Sequence, residues 1–208
     1  MRAFIYAGGT VVPDGITEHP KNDDLRIAAD SGLNTARLLG DGVDVFIGDL
    51  DSAKEADIPK GVEILRLKPE KDITDTHAAV EYAITKGADE IIIIGGIGSR
   101  LDHTLSSLAI LEDLYLRGIH NAILVNGSNR VRYVRDTSTL IGVSQYKYIS
   151  VIAADEKVKG VSIEGCKYPL KNETLRKRFQ FAVSNEIVKN CTLISVRRGG
   201  IFIIESRD

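Results

Sequence analysis

Two short acidic runs hold the residues best suited to chemistry. Asp49 and Asp51 stand in Ile47-Gly48-Asp49-Leu50-Asp51-Ser52, directly behind an apolar, β-branched segment, and Asp72 and Asp75 stand in Lys71-Asp72-Ile73-Thr74-Asp75, just before a helical stretch. Carboxylates gathered where strands run out into loops suit a hard divalent cation such as magnesium, which keeps several waters and takes one or two protein carboxylates together with phosphate oxygens. Acidic turns also serve solubility alone, because Asp and Gly mark turns in general. Recurrence favours the chemical reading. Asp30 follows the apolar run Leu25 to Ala29, and Arg100, Asp102 and His103 follow Glu90 to Ile94.

The elements that must position these residues can be read from periodicity. Up to about Asn126 short apolar runs alternate with longer helical ones, the pattern of a parallel sheet with crossover helices. Strands are predicted at Ala3 to Ala7, Leu25 to Ala29, Val43 to Ile47, Val62 to Leu67, Glu90 to Ile94 and Ala122 to Val125. Helices are predicted over Ser31 to Leu39, Ile73 to Lys86 and Leu101 to Arg117, closed by Gly40, Gly87 and Gly118, each able to take the left-handed conformation that ends a helix. Asp72 is the expected N-cap of the second helix, with Ile73, Val80 and Ile84 on its apolar face.

After Asn126 the pattern changes to closely spaced β runs, Asn129 to Arg135, Tyr146 to Ala153, Val158 to Glu164, Phe179 to Val183, Thr192 to Arg197 and Ile201 to Ser206, with one short helix expected over Asn172 to Arg178. The fold class is therefore an α/β N-terminal domain with a mainly parallel sheet and flanking helices, residues 1–127, joined to an all-β C-terminal sandwich domain, residues 128–208.

In an open parallel sheet the residues just after the strands converge on one edge, where such folds bind ligands. That rule brings Asp30, Asp49, Asp51, Asp72, Asp75 and Asp102 to one rim, where like charges repel unless a cation compensates. Gly95, Gly96 and Gly98 lie between a strand and a helix, where backbone N–H groups can receive phosphate, and they also fit a tight turn with no further role. They are not the dinucleotide fingerprint, because Leu101 stands at the third glycine position, and no GxxxxGK[ST] is present. Arg100 suits a bidentate clamp on phosphate oxygens or a solvated surface charge. His103 fits a scaffold hydrogen bond or a chemical role, and His77 is expected on the buried face of its helix.

Composition narrows the partners. The formal net charge of -2 gives no bulk field for nucleic acid, although a local basic patch would be hidden in that sum. No apolar run approaches the roughly 20 residues that span a bilayer, so no membrane partner and a cytoplasmic location are expected. Cys166 and Cys191 lack metal-ligand spacing and are expected as free thiols.

Six motifs in register identify a resemblance. Ala29-Asp30-Ser31-Gly32, Gly48-Asp49-Leu50-Asp51-Ser52, Lys71-Asp72-Ile73-Thr74-Asp75, Gly95-Gly96-Ile97-Gly98-Ser99-Arg100-Leu101-Asp102-His103, Gly165-Cys166-Lys167-Tyr168-Pro169-Leu170 and Ser184-Asn185-Glu186 resemble the thiamine pyrophosphokinase family over nearly the whole chain. The resemblance implies transfer of the terminal diphosphate of ATP to thiamine with release of AMP, and a homodimer paired through the thiamine-binding β domain. By position, Asp49, Asp51 and Asp72 would bind Mg2+ and ATP phosphates. Asp30, Ser31, Asp75, Gly96, Gly98, Arg100 and Asp102 would complete the nucleotide site, and Ser184 and Asn185 would contact thiamine. Asp72 or Asp102 would accept the proton of the alcohol. Some members place a tryptophan against the thiamine rings; this chain has none, so stacking would come from Tyr, Phe or aliphatic groups. A pyrophosphokinase acting on another heteroaromatic methanol, such as a hydroxymethylpterin, and a non-catalytic nucleotide sensor are the alternatives.

Overall fold

The computed structural model describes residues 1–49, 58–68, 72–98 and 100–208, and the chain divides into two compact units, Met1–Gly127 and Ser128–Asp208. In the first unit, strands β1 (Arg2–Tyr6), β2 (Leu25–Ala29), β3 (Val45–Gly48), β4 (Glu63–Arg66), β5 (Glu90–Ile94) and β6 (Asn121–Val125) lie in the order β4-β3-β2-β1-β5-β6, every neighbouring pair parallel. Helices α1 (Gly32–Leu39), α2 (Asp75–Thr85) and α3 (Leu101–Leu116) make the crossovers.

The central strands are apolar on both faces because both faces are covered. In β1, Ala3 to Tyr6 are fully buried, and β5 buries Ile91 to Ile94. Phe4, Tyr6, Ile92 and Ile94 alternate along their strands and pack with Ala36 of α1, Ile16 and Val125 in one cluster. Each such side chain taken out of water contributes about 1.5–3 kcal/mol, enough to lock the register on which the strand ends depend. Gly40, Gly87 and Gly118 have φ values of 73°, 87° and 90° at the three helix ends, as the sequence predicts.

The start of α2 differs from expectation. Thr74, not Asp72, is the N-cap: its backbone is extended and its side chain accepts a hydrogen bond from the His77 N–H at 3.2 Å. Asp72 lies two residues too early to reach the first turn, while Asp75 occupies the acidic position beside the positive helix end. Val80 is buried as expected, but Ile73 is exposed and Ile84 half-buried, and Ala79 and Ala83 complete the buried face.

The second unit is antiparallel throughout. Strands β7 (Asn129–Arg135), β8 (Ser138–Gly142), β9 (Tyr148–Ala153), β10 (Lys157–Glu164), β11 (Leu170–Arg176), β12 (Cys191–Arg198) and β13 (Gly200–Ser206) form the arrays β7-β13-β9 and β11-β10-β12-β8. Val131, Tyr133, Val151, Ile201 and Ile203 of the first array and Val158, Val161, Ile163, Leu175, Ile194 and Val196 of the second are buried.

Two predicted elements of this unit are corrected. The stretch expected as a helix from Asn172 is the end of strand β11, paired with β10. Phe179 to Val183 is not a strand. The Gln180 carboxamide accepts from Ala153 N at 3.2 Å and donates to Ala153 O at 3.4 Å, so a side chain occupies the end of β9 that a backbone ladder would use. Both cysteines are free thiols; burial pushes Cys166 upward while its Thr192 hydrogen bond opposes the shift.

Candidate active site at the sheet switch point

In the first unit the chain order runs outward from β1 through β2, β3 and β4, then returns to β5 on the other side of β1. The carboxyl ends of β1 and β5 therefore diverge into loops that leave in opposite directions, which opens a crevice at the switch point. A cleft of about 270 Å³ lies there.

Its floor is made of two glycine turns tied together. The β1–β5 ladder continues past the strand ends, Ala7 N–H donating to Ile94 O and Gly9 N–H to Gly95 O, each at 2.8 Å. Only glycine suits Gly95, which has φ 78° and would place a Cβ 2.5 Å from Ala7 O. The Gly9 position is equally closed, a Cβ there meeting Gly95 O at 2.3 Å. The resulting floor has no side chains, so a ligand can approach backbone directly.

Asp30 forms one wall. It follows β2 with φ 48°, a left-handed conformation that Asp tolerates better than most residues, and its N–H is held by Ile47 O at 2.9 Å. Gly48, at the end of β3, lies against it; a Cβ at Gly48 would meet Asp30 Cα at 3.2 Å. Among the described residues the buried Asp30 Oδ1 has no hydrogen-bond partner. An unsatisfied buried carboxylate oxygen costs free energy unless something arrives to use it. A hard cation carrying phosphate is such a partner, so the donor set at this wall fits Mg2+.

Ser31, Asp75, Gly96, Gly98 and Arg100 also line the cleft, as does His103. Gly98 N–H donates to Thr104 Oγ1 at 3.3 Å and Gly95 N–H to Val125 O at 2.9 Å, which leaves Gly96 as the turn position without such a bond among the described residues. Three predicted residues stand outside the lining. Asp49 is half-buried directly after β3, Asp72 is exposed in the loop before α2, and Asp102 is exposed on the first turn of α3. Asp51 lies outside the described residues.

Asp102 is engaged by Arg100. The guanidinium donates to both carboxylate oxygens, Nε to Oδ1 at 3.2 Å and Nη2 to Oδ2 at 2.7 Å, and His103 N–H adds a bond at 3.0 Å. The Arg100 hydrogen bond, joined by that backbone bond, holds the Asp102 carboxyl down at about 2, and the carboxylate in turn raises Arg100. His77 lies in a half-exposed cluster with Glu81 and Asp113 rather than on a buried face, and Arg117 pairs with both acids.

Sequence reasoning passed over Gly8, Gly9, Thr74, Thr76 and Ser107, which also line the cleft. The strand-end rule applies to Gly8-Gly9, which follow β1, as it does to Asp30 after β2. Ser107 lies nearly two turns into α3 and is buried only by folding; no sequence signal marks it.

In the second unit, Asn185 is buried and its side chain is occupied by backbone. Its Oδ1 accepts from Tyr168 N and Glu186 N, each at 3.0 Å, and its Nδ2 donates to Tyr168 O at 2.7 Å. Ser184 takes a left-handed φ of 56°, its N–H donating to Ser150 Oγ at 2.9 Å. A small pocket of about 70 Å³ lies beside Asn185, lined by Tyr168 and Phe181 among others.

A glycine-floored crevice with Asp30 and Arg100 in its lining, at the switch point of a parallel sheet, places the first unit among the doubly wound α/β folds that bind their ligands at that edge. Residues 17–123 match the family model described as "Thiamin pyrophosphokinase, catalytic domain", and residues 137–201 match "Thiamin pyrophosphokinase, vitamin B1 binding domain". The chain belongs to the thiamin pyrophosphokinase family, whose reaction transfers diphosphate from ATP to thiamine. It is 31% identical to a thiamine pyrophosphokinase of Bacillus subtilis (strain 168), with 98% of each chain covered. A crystal structure of thiamine pyrophosphokinase from Bacillus subtilis superposes with a TM-score of 0.90 at 27% identity, both chains covered completely. The yeast thiamin pyrophosphokinase shares the fold at 17% identity, with a TM-score of 0.75 over 99% of this chain and 86% of that one.

Proposed function

We propose that the switch-point cleft takes ATP with Mg2+ and that the second unit supplies the thiamine contacts. The observation that carries this reading is the unpartnered buried Oδ1 of Asp30 beside a glycine floor. Asp49, Asp51 and Asp72 are the proposed magnesium ligands, with Asp30 and Asp75 beside them. When bound, the cation neutralises phosphate charge and aligns the phosphates for in-line displacement.

The chain's own groups do the rest. The Gly96 N–H and the Arg100 guanidinium offer countercharge to phosphate oxygens, and Ser31 offers a hydroxyl from the wall. The thiamine hydroxyl attacks the β-phosphorus, the bond from that phosphorus to the α–β bridging oxygen breaks, and AMP leaves with that oxygen. The hydroxyl proton goes to a carboxylate. Asp102 is a poor acceptor because Arg100 holds it near 2, and this favours Asp72 as the acceptor.

Thiamine's rings would lie on aromatic surface offered by Tyr168 and Phe181, which are exposed next to Asn185 and take the place of a tryptophan. Asn185 positions Tyr168, and Ser184 offers its hydroxyl. The working form is a homodimer paired through the second unit, a reading supported by exposed Leu140 opposite Leu193 across β8 and β12 and by exposed Val143 and Val188. Among the described residues no helix is long and apolar enough to cross a membrane, and a cytoplasmic location belongs to the same reading.

The test is incubation with ATP, Mg2+ and thiamine, with AMP and thiamine diphosphate quantified and a hydroxymethylpterin run in parallel. Equimolar AMP and thiamine diphosphate are expected. Nucleotide binding without AMP release would favour a sensor, and turnover of the pterin alone would move the substrate assignment. Light scattering at assay concentration should return twice the chain mass.

A further inference from the structure

The formal charge of -2 conceals a strong asymmetry. Ser128–Asp208 contains 15 Lys and Arg against 8 Asp and Glu, a net charge of +7, whereas the first unit has 12 against 21, a net charge of -9. Part of the positive charge is concentrated at a cleft of about 350 Å³ lined by Arg135, Asp155, Lys157, Lys159, Arg198 and Gly199.

The register makes this concentration costly. Lys159 of β10 stands directly opposite Arg198 of β12, and Lys157 stands opposite Arg176 of β11. Like charges facing one another across strands destabilise a sheet. The nearby acids do not relieve them, because they are committed elsewhere. Asp155 accepts from Arg135 Nη1 and Nη2, each at 3.0 Å, and from Gly200 N–H at 3.2 Å, while Asp136 accepts the Gly199 N–H at 2.6 Å. Lys157, Lys159 and Arg198 have no ion-pair partner among the described residues, and all three are exposed.

We propose that this cleft is a binding site for a small polyanion of the diphosphate class, separate from the switch-point cleft. Four cations and one carboxylate give the lining a charge of +3, which matches the roughly three negative charges of a diphosphate group near neutral pH, its terminal phosphate titrating at about 6. The volume sits at the low end of the ~300–1,000 Å³ of small-molecule sites, suited to a compact anion rather than to a long polymer. Arg198 offers a planar fork for paired phosphate oxygens and the two lysines offer point charges beside it, while Arg135 stays paired with Asp155 at the wall of the cleft.

The test compares the full chain with Lys157→Gln, Lys159→Gln and Arg198→Gln combined, titrating inorganic diphosphate calorimetrically in the presence of a chelator. Loss of the three charges should weaken binding at this site at least ~10-fold and flatten its salt dependence, as expected when phosphate contacts by Lys and Arg are removed. The melting temperature should hold or rise as the repulsion is relieved, and AMP release at low ATP should be unchanged. Lys159→Arg should retain binding, and each single Gln variant should weaken it if the triple variant folds poorly. Equal diphosphate affinity in wild type and triple variant would overturn the proposal. So would a short RNA or DNA duplex that binds in place of diphosphate and is lost in the variant, or a variant that becomes monomeric, which would make the surface an interface between copies.

Discussion

The buried Asn185 carboxamide grips the backbone of Tyr168 at both ends, donating to its carbonyl at 2.7 Å and accepting from its N–H at 3.0 Å. With Glu186 N–H on the same oxygen, both acceptor positions and one of the two N–H donors are used, so little of the side chain is left for a substrate. Its part in substrate selection is therefore exercised through Tyr168. Replacing Asn185 by Ala leaves buried backbone groups unpaired, at about 1–3 kcal/mol, which read as kcat/KM for thiamine is a loss of roughly 5- to 150-fold with the ATP KM little changed. Michaelis constants for both substrates check this, and Tyr168→Ala should reproduce the thiamine effect with less loss of melting temperature. A rise in both constants together would remove the second unit from substrate selection.

Asp30 presents the opposite situation, a buried oxygen with no hydrogen bond among the described residues. Asp30→Asn should lower turnover at least ~100-fold, the scale on which groups that stabilise developing charge are lost. Asn tolerates the left-handed φ of 48° and carries no charge, so the same substitution should raise the melting temperature of the ligand-free protein by about 2–4 °C for each kcal/mol of relieved desolvation. Turnover and melting temperature moving in opposite directions would be the signature of a site strained for function. A variant that loses both would make Asp30 merely structural.

The features legible in the sequence were those that follow from periodicity and topology. Glu90–Ile94 and Leu25–Ala29 read as buried parallel strands because both their faces are apolar, and the strand-end rule then leads to Asp30, Ser31 and Arg100 at the cleft. The edge strand β11 was hidden because Lys171, Asn172 and Glu173 are exposed and polar; pairing with β10 overrides a local preference for helix, and the charges guard the open edge. Gln180 hides the opposite error: its side chain imitates backbone at Ala153, and the β-like residues after it keep only separate backbone bonds to β9, Val151 N–H to Ala182 O and the Ile149–Asn185 pair, too few to make a strand. Spacing also brought Asp72 and Asp102 to the rim without fixing where their side chains go. One is exposed, and the other is turned onto Arg100.

That ion pair predicts a pH profile. The folded carboxyl of Asp102 lies near 2, below its ordinary 3.8, so the contribution of the pair is fully present above the ordinary value and fades only as pH falls towards 2. No part of that window overlaps the range of about pH 5 to 8 in which activity is assayed. Asp102→Asn should therefore leave the shape of the kcat/KM profile unchanged across that range, while loosening Arg100 and raising the ATP KM several-fold. If the acidic limb disappears in Asp102→Asn, Asp102 is the proton acceptor after all and Asp72 is not.

The Thr74 cap gives the sharpest separation of structure from chemistry on a short stretch of chain. Its side chain satisfies the His77 N–H at the half-buried start of α2, a bond whose loss costs about 1 kcal/mol and so about 2–4 °C of melting temperature in a chain of this size. Asp72, two residues earlier and exposed, holds no such position, and Asp72→Ala should change stability by less than ~0.5 kcal/mol. The kinetic effects should run the other way. Thr74→Ala should keep most of its turnover, because the helix stays anchored by Ala79, Val80 and Ala83, whereas Asp72→Ala should lose at least ~100-fold if its carboxylate takes the proton and serves the magnesium. Thermal melts and saturating-substrate rates on the two variants decide the matter. Equal melting losses would refute the cap assignment, and near-normal turnover in Asp72→Ala would pass its chemical role to another carboxylate of the rim.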